Sequence, residues 1–333
     1  PEVGKGVDDN AKTDVHVASV GSPTHDLKRW GQVALQDKLD LLYKAFDKSF
    51  LQWHQHYDPD ATYIFTAPEY YFSASNSHFL AEADAAMVWQ SMRERFAQLP
   101  SNFLVIPGTT GWRHEASGNE LRDYRAEHAQ QKSRVDEEMT ANELYPDETS
   151  PLKEVWEQEP DVARPGPLPI YHNDALVFSG EQPASVYSKR YESTDKKAFD
   201  RTKTEQQSGY FHLGRESFTT QVNGIPIKLE ICSDNAYESI AKAGYEGIHI
   251  LLGSHFGGQQ MWSAVHGQTY IHTDSTEQFV SKQEAPEVAK SRKEASGRNM
   301  KTINPTEVFT NQTHGNVTLS FFRVAMRQLR PSV

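Results

Sequence analysis

Apolar runs and amphipathic stretches alternate over the first third of the chain. Residues 15–21 (VHVASVG) read as a strand. From Leu35 onward, Leu35, Leu39, Leu42, Phe46 and Phe50 recur at three- and four-residue steps, the spacing of one face of a helix. Residues 61–69 (ATYIFTAPE) predict a second strand ending at a proline, residues 79–96 a second helix, and residues 103–108 (FLVIPG) a third strand. Strand, helix, strand, helix, strand predicts a layered α/β fold with right-handed crossovers. In such folds reactive side chains gather outside the carboxyl ends of the strands.

Residues 113–164 break this pattern. They hold 14 acidic and 7 basic side chains, a net of −7 out of the chain's −11, and end among Pro160, Pro165, Pro167 and Pro169. Sparse apolar positions predict a partly helical excursion over the surface, an insertion at about 113–165 in an otherwise single domain spanning 1–333. A lid over a pocket and a passive decoration are both open readings of it.

Strands then resume. Residues 170–180 (IYHNDALVFSG) and 183–191 (PASVYSKRY) are joined by a plausible hairpin turn, and residues 217–232 form a second hairpin about Asn223-Gly224. Residues 245–256 (YEGIHILLGSHF) predict a buried strand. NVTLSFFRVAMRQL, near the end, predicts a last strand that closes a sheet or reaches a partner subunit.

Composition narrows the classes. One cysteine excludes an internal disulfide framework, and no apolar run approaches the ~20 residues of a membrane helix. A net charge of −11 speaks against a nucleic-acid surface. The first residues are polar, without a signal-peptide core, so a soluble cytoplasmic protein is expected. His249, His255, His266 and His272 follow no zinc spacing. The sequons at Asn311 and Asn316 are chance-level motifs.

Three polar residues each end an apolar run: Glu69 after IFTAP, Lys189 after ASVYS, and Cys232 after KLEI. Singly, Glu69 could serve a helix dipole, Lys189 could guard a sheet edge, and Cys232 could be a small buried hydrophobe. Together they supply a base, a cation and a nucleophile, a complete kit for acyl transfer.

The order of APE, then Tyr-x-Lys after an Asn-containing hairpin, then Ile-Cys-x-Asp resembles the nitrilase, or carbon–nitrogen hydrolase, superfamily. FLVIPGTTGW, GYFHLGRESF and AGYEGIHILLGS resemble the intervening segments of that family, over residues 15–258 apart from the insertion. The resemblance implies an α-β-β-α sandwich that pairs into a four-layer homodimer. It makes Glu69 the general base, Lys189 the oxyanion-stabilising cation and Cys232 the nucleophile, with no metal or cofactor. The backbone N–H of Ser233 would join Lys189 at the oxyanion. Tyr70 falls beside the base, among the substrate-binding positions, and the family's second glutamate falls on Glu192 or Glu205 at imperfect spacing. Ser233-Asp234 after the cysteine resembles the amidase and carbamoylase branches, with Asp234 holding the turn. The expected substrate is a small amide or N-carbamoyl compound. A fold-retaining binding protein and an amidase acting on a protein side chain are the rivals.

Overall fold

The apolar run at 15–21 lies in strand β1 (Lys12–Gly21), and the three- and four-residue spacing forms helix α1 (Leu35–His54). The computed structural model describes residues 12–75, 77–141, 167–180, 182–190, 209–232, 234, 247–254, 269–275, 278–283, 300–311 and 317–327. β2 (Thr62–Thr66), β3 (Leu80–Ala81), α2 (Glu82–Arg95), β4 (Phe103–Ile106) and β5 (Thr109–Ala116) follow. Then come α3 (Gly118–Ala141), β6 (Leu168–Ser179), β7 (Ser185–Ser188) and β8 (Tyr210–Phe211). These strands belong to one sheet ordered β15-β16-β1-β2-β4-β6-β5-β3, in which β7 and β8 also pair with β6. Its far strands are β15 (Glu307–Asn311) and β16 (Val317–Arg327).

The second sheet is ordered β14-β13-β12-β11-β10-β9. Its strands are β9 (Phe218–Val222), β10 (Ile225–Ile231), β11 (Ile248–Leu252), β12 (Thr269–Thr273), β13 (Gln278–Gln283) and β14 (Met300–Ile303). β9 and β10 make the hairpin expected at Asn223-Gly224, where both turn residues have positive φ. β10, β11 and β12 run parallel, which requires crossovers between them. Those crossovers, residues 235–246 and 255–268, lie outside the described residues, and with them the expected outer helical layer of this sheet.

Two apolar layers hold the sandwich. Leu39, Leu42, Phe46 and Trp53 of α1 pack on the outer face of the first sheet with Phe65 and Phe103, while Leu35 and Phe50 sit partly buried at the margin. Between the sheets, Val15, Val17, Ile64, Leu104 and Ile106 meet Ile227, Leu229, Ile231, Ile250, Leu252 and Ile271. Each such side chain contributes roughly 1.5–3 kcal/mol on burial. Alternate residues of a strand face opposite ways, so Lys228 and Glu230 leave this layer for the far face of β10. There Glu230 meets Lys228 Nζ at 2.5 Å and His249 Nε2 at 2.7 Å.

The structure moves two predicted boundaries. The second helix begins at Glu82 rather than Phe79, because Leu80 and Ala81 pair with Trp112 and Arg113. The excursion expected from Arg113 begins later, because residues 113–116 stay in β5, in register with Leu168–Tyr171 of β6. α3 then adds Leu121 to a small core of Ala116, Leu168, Ile170 and Tyr210. Residues 142–166 lie outside the described residues. β16 lies between β1 and β15, so it closes the sheet from within. No described helix is long and apolar enough to cross a membrane.

Candidate active site

β2 and β10 lead to the first two residues of the site, and the end of β11 anchors both. Beyond β2 the chain turns at Pro68, and the amide of Glu69 donates to Gly253 O at 3.1 Å, just past the end of β11. The amide of Cys232, just past β10, donates to the preceding carbonyl, Leu252 O, at 2.8 Å. Two residues 163 positions apart (232 − 69) are therefore held by consecutive carbonyls of one strand end. Ser19 and Thr66 hydroxyls from the first sheet meet the Thr273 hydroxyl of the second at 2.8 and 2.7 Å, fixing the sheets against each other here.

Glu69 is fully buried, which is costly for a carboxylate unless charge and hydrogen bonds compensate. Both are present. Lys189 Nζ lies 2.8 Å from Glu69 Oε1, and Asn173 Nδ2 donates to the same oxygen at 2.7 Å. The Lys189 amide in turn donates to Asn173 O at 2.9 Å. Glu69, Asn173 and Lys189 thus form a closed ring of contacts, and Lys189 is no solvated edge residue: it too is fully buried.

The expected position of the cysteine on a bend is borne out in its backbone. Cys232 has φ of 46°, a conformation uncommon outside glycine and typical of sites where a side chain must be aimed. The thiol is partly buried at the edge of the inter-sheet core. Asp234 secures the bend: it accepts from Ile231 N at 3.3 Å, from Tyr187 Oη at 2.7 Å and from Arg190 N at 3.0 Å. The same carboxylate therefore ties the cysteine turn to the residues on both sides of Lys189. Holding the elbow is the part expected of Asp234.

Tyr70, also in a positive-φ conformation (56°), is fully buried. Its amide donates to Thr109 Oγ1 at 2.8 Å, and its ring lies 4.3 Å from His78 and 6.0 Å from Phe79. A side chain on Gly111 would collide with that ring and with His78 O, so the glycine allows the close approach. Ser233, Glu192 and Glu205 lie outside the described residues. Asn173 is the residue whose part had not been foreseen. Its signal was present in IYHNDALVFSG, a polar residue inside an apolar strand, but only the pairing of β6 with β5 and β7 shows which face it takes.

Behind β6, on the opposite face from Asn173, His172 stacks on Trp112 at 3.9 Å and lies 4.8 Å from His212. Trp112 Nε1 donates to Asp174 Oδ2 at 2.7 Å. Burial, with His212 and His114 nearby, pulls the His172 pKa down to about 2, so this imidazole is neutral. Among the described residues no group of histidine, cysteine and carboxylate side chains is arranged to hold a metal ion.

No family model matches the sequence, and no curated protein matches it. Solved structures similar in overall course include a CN-hydrolase superfamily protein from Xanthomonas campestris (8% identity, 94% of this chain and 90% of that chain, TM-score 0.43). An amidase from Nesterenkonia sp. AN1 in complex with acrylamide is similar at 9% identity, over 96% of this chain and 93% of that one, with a TM-score of 0.44. A glutamine-dependent NAD(+) synthetase from Cytophaga hutchinsonii is similar at 9% identity over 96% of this chain but 44% of its own, also with a TM-score of 0.44. At these scores the likeness carries no chemistry to this chain, and the site stands on its own side chains.

Proposed function

We propose that this chain hydrolyses a non-peptide carbon–nitrogen bond, of a small amide or an N-carbamoyl compound, through a thioester on Cys232. The observation that carries the reading is the buried Lys189–Glu69–Asn173 ring joined, through Gly253 and Asp234, to a positive-φ cysteine turn. A buried ion pair is costly to maintain and is weak evidence for stability alone. On a segment anchored at the same strand end as the chain's single thiol, it has a use.

In the proposed cycle, the Glu69 carboxylate takes the Cys232 proton as sulfur attacks the carbonyl carbon. The carbonyl π-pair moves to oxygen, where Lys189 and the Ser233 backbone N–H would meet the developing charge. Glu69 returns the proton to the leaving nitrogen as the carbon–nitrogen bond breaks, leaving an acyl thioester and a free amine or ammonia. Water then gives its proton to Glu69 and its oxygen to the acyl carbon. Collapse releases the acid and the proton returns to the thiolate. Tyr70, the residue after Glu69, would form one wall of the acyl pocket.

The reading is tested by ammonia release across acetamide, propionamide and N-carbamoyl amino acids, with Cys232→Ala and Lys189→Ala as controls. Turnover by the parent and none by either variant is expected. No turnover of any member, with the fold intact, would favour a binding protein that retains this fold.

A further inference from the structure

Helix α3 lies in the acidic segment, and its inward face meets residues 210–215 rather than the gap between the sheets. Leu121 joins the core that includes Tyr210. Tyr124 lies 5.8 Å from the Tyr210 ring, and its hydroxyl is 3.4 Å from His212 Nδ1. His128 lies 5.0 Å from Tyr210. Glu127 accepts from Arg215, and Arg134 Nη2 donates to Gly214 O at 3.1 Å. Positions 121, 124, 127, 128 and 134 share one helical face by their spacings of three, four and seven.

The other side of the same segment meets the candidate catalytic lysine. The Gly214 amide donates to Lys189 O at 2.9 Å, and the His212 amide to Tyr171 O at 2.7 Å. A Cβ on Gly214 would come within 2.1 Å of Ser188 O, so the two backbones are in direct contact. Arg190 Nη1 donates to Ser217 Oγ at 3.2 Å. Gly214 is thus gripped through its carbonyl by α3 and grips Lys189 through its amide.

We propose that α3 is a clamp that positions Lys189, with Arg134 as the positioning residue, acting through Gly214. The inference rests on the catalytic reading of Lys189 for its consequence, though not for its geometry. It gives the acidic segment a task behind the site. Losing the grip on Gly214 O loosens residues 212–215 against Ser188 and Lys189, which β8 pairing and the Gly214 amide still hold, and the ammonium holds its distance to Glu69 less firmly.

The test uses the full chain with Arg134→Gln, and Glu127→Gln as a second variant that loosens the same helix from Arg215. Amide exchange is followed in peptides covering 185–190 and 209–217. The single thiol makes iodoacetamide alkylation of Cys232 a clean second readout, taken as a function of pH and compared with Lys189→Ala. Arg134→Gln should speed exchange in the two peptides by about fivefold, the scale of one lost hydrogen bond, and Glu127→Gln, which weakens an exposed pair, in the same direction but by less. They should also move the alkylation profile in the direction Lys189→Ala moves it, because a displaced cation stabilises the thiolate less. A purely structural helix would leave that profile in place. Exchange unchanged in 185–190 overturns the clamp, as does an unmoved alkylation profile when Lys189→Ala moves it. If Lys189→Ala itself leaves the profile unmoved, the catalytic assignment of Lys189 fails, and faster exchange at 185–190 would still support the clamp.

Discussion

Replacing Asn173 by alanine tests the ring around Glu69 most sharply. The substitution deletes one donor, Asn173 Nδ2, from a carboxylate oxygen 2.7 Å away, and leaves Lys189 Nζ at 2.8 Å. Asn173 is 1% exposed and Glu69 0%, so water does not readily replace the lost bond. Hydrogen bonds to charged groups contribute about 1.5–3 kcal/mol. If that bond is what holds Glu69 in its reactive position, its loss, at 1.36 kcal/mol per factor of ten, lowers kcat/KM by up to roughly 10- to 150-fold. Steady-state kinetics of ammonia release, beside urea denaturation, separate lost activity from lost stability. Asn173→Asp should be worse, since it sets a second carboxylate against the first. A variant that loses stability while kcat/KM stays within about twofold would show that Asn173 only packs, and the argument from the ring would fail.

Lys38, buried with its ammonium on Ser73 O (2.7 Å) and Ser73 Oγ (3.2 Å), has its pKa lowered by burial to about 7. Between about pH 7 and 10.5 the unfolded chain holds a proton there that the folded chain does not, so stability should rise with pH in that window, by up to roughly 5 kcal/mol. Lys38→Met should flatten the rise, and parallel pH dependence of the two proteins in urea melts would contradict it. Asp234→Asn, which weakens the acceptor shared by Ile231, Tyr187 and Arg190, should lower kcat about tenfold or more with little change in KM. A change confined to KM would place Asp234 against substrate instead.

What could be read from the chain beforehand follows from which forces are local. The face Leu39, Leu42, Phe46 of α1 and the apolar strands β1, β2 and β4 are properties of short windows, and they fold as spaced. The Asn223-Gly224 hairpin is equally local. Leu80 and Ala81 read as helix because their partners, Trp112 and Arg113, lie 32 residues on in sequence (112 − 80), a pairing invisible to periodicity. The same long-range pairing keeps residues 113–116 in β5 despite their polar composition. Glu69, Lys189 and Cys232 could be picked out as polar residues ending apolar runs. The side chain of Asn173 could not be assigned to Glu69, because that contact depends on the register of β6 against its neighbours. Nor could Gly214 be seen to join α3 to Lys189, since both links end on the backbone of a glycine, which carries no side-chain signature.

The central claim is that Cys232, aimed by its positive-φ turn, forms a covalent acyl intermediate. Intact mass measurement of the protein quenched in acid during turnover of a short amide, followed by peptide mapping, tests it directly. The account predicts an added mass equal to the acyl group, located on Cys232, absent from Cys232→Ala and released on standing in buffer. Sustained turnover by Cys232→Ala, or an acyl group mapped to any other residue, would contradict it.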